Sequence, residues 1–193
     1  MLTSITPLGE RGRNRNWTGT VIAYFIGSLA GGAVVGLAAG GLGAAIPAGV
    51  RPASIGLIVA AILVVVAINE AGWVRITPLG RRQVNEDWLE EYRGWVVGVG
   101  FGFQLGLGLV TIVTTLAVPA TFLLAALSFS WQWGLLIGTT FGLARALPIL
   151  TTQTVTDPSR LAQLHRRHDL AARWAKIGVT ALVVPLALVA VVA

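Results

Sequence analysis

Apolar residues in this chain gather into long runs separated by short polar stretches. Five windows, residues 17–43, 54–73, 95–117, 131–150 and 172–193, each supply about the 20 predominantly apolar residues that a helix needs to cross the hydrocarbon layer of a membrane. The pattern predicts five transmembrane helices. A further apolar stretch, 118–129, follows the third window, and Pro119 within it admits a break into a helix plus a short re-entrant or interfacial piece. Hydropathy alone leaves open whether this stretch is re-entrant or an extra span.

Composition supports the same class. With 55% apolar and 11% charged residues, a 193-residue chain has too little polar surface to solvate a globule. The expected fold is an all-α polytopic bundle forming one integral membrane domain over residues 1–193, with no soluble domain. Arg11, Arg13 and Arg15 before the first run imitate a secretory signal. That run is too long for a signal core and more apolar spans follow it, so an uncleaved signal-anchor fits better.

Positive residues sort by loop. Arg11, Arg13 and Arg15 precede the first span, Arg75, Arg81, Arg82 and Arg93 separate the second and third, and Arg160, Arg166, Arg167, Arg173 and Lys176 separate the fourth and fifth. The alternate loops hold Arg51 alone. Since positive residues stay on the cytoplasmic side, the amino terminus is expected inside and the carboxy terminus outside. An extra full crossing near Pro119 would put the positive loops on both sides, which disfavours it. The net charge of +6 is thereby read as topogenic, and the chain shows no soluble basic module with interleaved aromatics, so nucleic acid is not an expected partner. The abundance of Ala, Gly and Val and of arginine over lysine points to a bacterial plasma membrane. Trp17, Trp73, Trp95, Trp131, Trp133 and Trp174 fall near predicted span ends, where indoles anchor at the interface.

One phrase occurs twice: Ile5-Thr6-Pro7-Leu8-Gly9 and Ile76-Thr77-Pro78-Leu79-Gly80. Superposing the copies aligns Trp17 with Trp95, Phe25 with Phe103, and the segment at Asn69-Glu70 with that at Ala144-Arg145. This predicts two parallel two-span repeats, residues 5–74 and 76–150, related by an axis along the membrane normal, then a cytoplasmic basic helix at 157–173 and a last span at 172–193. The extra stretch 84–93 in the second copy, with Glu86, Asp87, Glu90 and Glu91 among Trp88, Leu89 and Tyr92, reads as an amphipathic surface helix. Gly32, Gly36 and Gly40, Gly98, Gly102 and Gly106, and Gly134, Gly138 and Gly142 each recur every fourth residue, so each set lies on one helix face and lets another backbone approach.

Glu70 and Arg145 are ionisable residues well inside predicted spans and occupy equivalent places in the two copies. A charge there is costly unless paired, so the two are expected either to neutralise one another or to line a path for a small solute or ion, with Asn69 and Gln104 as polar neighbours. Glu70 also lies close enough to the interface to snorkel out of the core. His165 and His168 share a face of the basic helix with Asp169 nearby, which makes them a candidate metal pair, but a stable site wants three or four convergent ligands and none is expected. No cofactor is expected. The predicted spans contain no histidine to activate Ser28 as a nucleophile or to ligate haem, so a catalytic role is not expected. The absence of cysteine removes disulfides, thiolate metal sites and dithiol relays.

The repeated small bundle resembles the internally repeated DsbD/CcdA and LysE-like bacterial membrane proteins, through Thr6-Pro7-Leu8-Gly9 and Thr77-Pro78-Leu79-Gly80 over the first four spans. The electron-carrying branch of that group depends on a cysteine in each half, so what the resemblance implies here is solute export. The primary expectation is a transporter or exporter with its site at the repeat interface. The alternative is a non-catalytic subunit that anchors or assembles a larger membrane complex. Expected partners are the bilayer and either further copies of the chain or other membrane subunits.

Overall fold

The computed structural model describes residues 5–51, 54–70, 92–108, 116–157 and 159, which form helices and turns with no strand among them. The expected last span, the basic helix with His165, His168 and Asp169, most of the stretch 84–93 and the second copy of the repeated phrase lie outside the described residues.

The first copy of the phrase is a helix start. Thr6 is the N-cap of α1 (Pro7–Gly12), its Oγ1 accepting from the Gly9 amide at 3.0 Å, and Pro7 takes the first turn, where no amide donor is needed. Asn14, at φ 54°, turns the chain toward Asn16, whose side chain caps α2 (Trp17–Ala44) by accepting from the Thr18 amide at 3.0 Å. At 28 residues, α2 rises about 42 Å, more than the roughly 30 Å of a hydrocarbon core. α3 (Ile55–Glu70) follows, then α4 (Gly94–Leu107), α5 (Ala117–Leu127) and α6 (Trp131–Ala146). Ser130 caps α6, and Pro148 turns the helix end into a 3-10 segment, Leu147–Thr154. Among the described residues, two helical stretches are long and apolar enough to cross a membrane: Trp17–Ala44 and Trp131–Thr154.

The third expected span is corrected. Residues 95–117 do not form one helix: α4 stops at Leu107 because Gly108 adopts the left-handed region at φ 67°, a common helix stop, and Ala117 already begins α5. Pro119 sits in the first turn of α5 rather than at the break. At 11 residues, α5 rises only about 16 Å.

α2 is the axis of the bundle, with α4 and α6 packed along it, α5 touching α2, α6 and α3, and α1 and the 3-10 segment closing one end. A Cβ placed on Gly98, Gly102 or Gly106 would overlap the carbonyl oxygens of Thr20, Tyr24 and Ser28 in turn, so α4 runs parallel to α2 in the register that superposing Trp17 on Trp95 makes equivalent. On another face, Gly32 abuts Gly138 and Gly36 abuts Gly134 through their carbonyls, while Gly40 meets Ser130, so α6 runs antiparallel. α6 lies along α2, and α3, its counterpart in the sequence, packs on α5. An apolar cluster joins Ile5, Val21, Tyr24, Val97, Phe101, Ala146 and Ile149 at the end that α1 closes. Outward faces remain apolar, with Ile22, Ile26, Leu42, Leu57, Val65, Leu136 and Leu143 exposed.

Candidate functional site

Polar chemistry is concentrated where α1 meets the start of α2. Glu10 on α1 is completely buried; its Oε2 accepts from the Thr20 hydroxyl at 2.7 Å, and its Oε1 lies 3.6 Å from Arg13 Nη1. A buried carboxylate is tolerated when paired and hydrogen-bonded, and here one oxygen takes each role. Gly94 makes room for the arrangement: a Cβ there would stand 2.6 Å from Thr20 Oγ1 and 3.1 Å from Glu10 Oε2.

Thr20 begins a buried polar stripe on α2, since Tyr24 and Ser28 follow at four-residue spacing on the same face. Ser28 Oγ donates to the Gly142 carbonyl at 2.8 Å and ties α2 to α6 in the interior. Tyr24 lies within electrostatic reach of Arg145, whose guanidinium carbon sits 5.4 Å from the centre of the Phe141 ring. Gln104 on α4 has its Oε1 buried and without a hydrogen-bond partner among the described residues. Hydroxyls, a phenol, an amide and a guanidinium are groups that can hold a small polar group by hydrogen bonds.

Arg145 therefore sits over the Phe141 ring and within electrostatic reach of Tyr24. The side chain of Glu70 lies outside the described residues, while its helix α3 packs on α5 and Asn69 is half-buried near the α3 end. The glycines of the three predicted ladders lie in the helix contacts just described. No group of three His, Asp or Glu side chains with metal-binding geometry occurs among the described residues. Trp95, Trp131 and Trp133 are exposed and Trp17 half-buried, while Trp73 and Trp174 lie outside the described residues.

Sequence reasoning missed Glu10, Thr20 and Tyr24 as partners, having assigned the amino-terminal segment to topology alone. Two signals carried them: Thr20, Tyr24 and Ser28 recur every fourth residue within an apolar run, and an acid, Glu10, stands among three arginines.

Between α1 and α2 opens a cleft of about 610 Å³, lined by Arg11, Arg15, Asn14, Asn16, Trp17 and Thr18 together with Pro7. No acidic side chain lines it, Glu10 being buried with its carboxylate on Thr20 and Arg13.

An all-helical fold, two helices of membrane-crossing length and an apolar exterior define a membrane-associated helical protein. The chain is similar to the methylamine utilization protein MauF of Methylophilus methylotrophus, with 29% identity over 176 residues, covering 88% of this chain and 61% of that protein. The match thus spans less than two thirds of the relative. No protein-family model matches the chain, and neither does any solved structure.

Proposed function

We propose that this chain is a multi-pass membrane component that supports the use of a small primary amine by anchoring or assembling a larger complex. The observation that favours assembly over passage is the packing of α2 against α4 and α6. Glycine meets carbonyl along both contacts with no room for a methyl group, and Ser28 spends its hydrogen bond across the interior. Helices joined this way form a rigid platform for other subunits. The kind of process comes from the relative's name, methylamine utilization.

Solute transport is the second reading, favoured by the buried Thr20, Tyr24 and Ser28 stripe with Arg145 in electrostatic reach of Tyr24, and by the buried amide oxygen of Gln104 on α4. One experiment separates the two. In a host deleted for this chain, growth on methylamine and uptake of radiolabelled methylamine are measured together with the amine-oxidising activity of extracts. Assembly predicts normal uptake with growth and oxidising activity lost, and complementation restoring both. Loss of uptake with oxidising activity intact overturns it in favour of transport, and unimpaired growth overturns the amine connection.

A further inference from the structure

We propose that α4 and α5 are the two halves of one membrane crossing and that the interruption between them, at Gly108, holds a small organic ammonium cation. The inference rests on the membrane reading and the amine connection above. α4 runs parallel to α2 and stops near its middle: a Cβ on Gly106 would strike the Ser28 carbonyl, and one on Gly31 would stand 2.9 Å from the Leu107 amide nitrogen. α5 carries on from there. Its start lies against the end of α4, since a Cβ on Gly108 would stand 3.0 Å from both Val118 Cγ1 and Phe122 Cε2. Its own end lies beside the end of α2, where a Cβ on Gly43 would strike the Ala126 carbonyl. Together the two helices rise about 37 Å against roughly 30 Å of hydrocarbon, whereas neither crosses alone. Counted as one span, they also keep the arginine-rich loops on one side.

An interrupted span brings helix ends into the interior, and the end that α4 brings is the carbonyl end. Its partial charge is negative, and the last carbonyls of a helix lack partners within it; here Leu105 O accepts from the Gly108 amide at 3.1 Å. Gln104 lies one turn before Gly108, on the face it shares with Val97 and Phe101, and its Oε1 is buried with no donor among the described residues. The Phe122 ring against Gly108 adds a π face. Carbonyls, amide oxygen and ring all favour a cation, and a primary ammonium brings the N–H donors that the oxygens lack. Pro119 removes one amide from the first turn of α5, which weakens the opposing positive end. Arg145 stands over Phe141, the ring 5.1 Å from Phe122, and this like charge restricts the site to a single monovalent ion.

The test is equilibrium binding of radiolabelled methylammonium to the purified full chain in detergent, in buffer free of sodium and potassium. The expected result is saturable binding, weakened about tenfold by Gln104→Leu and about threefold by Phe122→Leu, which removes the ring and keeps an apolar side chain. Gln132→Leu, at an exposed position at the start of α6, should leave binding unchanged. Absence of saturable binding, no effect of Gln104→Leu, or an equal loss with Gln132→Leu overturns the site. Displacement of methylammonium by equimolar sodium would assign the interruption to a bare metal ion and overturn the ammonium. Should Gln104→Leu fail to fold, Phe122→Leu carries the test. If alkaline carbonate washes the wild-type chain from membranes, the membrane reading has failed; if deletion leaves growth on methylamine unimpaired, the amine connection has failed. With both intact, missing binding counts against the site alone.

Discussion

Glu10 shows how much one side chain settles at the sealed end of the bundle. Its carboxylate meets Thr20 from α2 and Arg13 from the turn after α1, while the Gly94 backbone closes over it. Glu10→Ala removes the close acceptor of the buried Thr20 hydroxyl, leaving it only the Asn16 carbonyl at 3.3 Å, and should cost about 2 kcal/mol, with Glu10→Gln costing roughly half because a close acceptor remains. Thermal unfolding in detergent gives the order, and equal melting of both variants with wild type would show that the contact contributes nothing. Ser28→Ala removes the donor to the Gly142 carbonyl, and interior hydrogen bonds between membrane helices average about 0.6 kcal/mol. A small loss in the same assay is therefore expected, distinctly below that of Glu10→Ala. Neither Glu10 nor Tyr24 stands out by residue type, and both gain meaning only from what folds over them.

Glycine has opposite meanings on different faces of one helix. Gly19 and Gly41 of α2 have nothing within reach of an added Cβ, so alanine there should stabilise by up to about 1 kcal/mol through helix propensity. Gly36 and Gly138 lie where a Cβ would strike the opposing backbone, so alanine at either should separate α2 from α6 and destabilise. The comparison uses unfolding midpoints of the four variants, and a shared direction would sink this account of the ladders. Four-residue spacing made the sticky faces legible in the sequence, because small residues at i and i+4 must share a face. Which ladder meets which was not legible: Gly32, Gly36 and Gly40 mesh with α6, while α4 rests its glycines on Thr20, Tyr24 and Ser28. The third window was also misread, since Gly108 reads as one more small residue until its left-handed φ shows the helix ending.

At the level of the whole molecule, charge distribution and packing answer separate questions. The chain has no cysteine, so a single introduced thiol reports sidedness without a background. An impermeant maleimide should label Arg51→Cys in intact spheroplasts and Arg11→Cys only after permeabilisation, if positive residues hold the amino terminus inside. Labelling of Arg11→Cys in intact cells would reverse the orientation. The amino-terminal segment does more than set sidedness, because Ile5 and Thr6 are buried, the Leu8 amide donates to the Val155 carbonyl at 3.2 Å and Thr152 Oγ1 donates to the Ile5 carbonyl at 3.1 Å. The first and last described parts of the chain are thereby joined at one end of the bundle.

What the sequence determined alone is the helical class, the small-residue faces and the helix start at Thr6 and Pro7. Each follows from local chemistry: run length, i to i+4 spacing, and a threonine and proline at the head of a helix. Tertiary structure decided which faces meet, where α4 ends, and that an acid among arginines lies buried on Thr20. Those outcomes depend on backbones that approach from distant parts of the chain, and a run of apolar residues satisfies its own helical hydrogen bonds without specifying a neighbour.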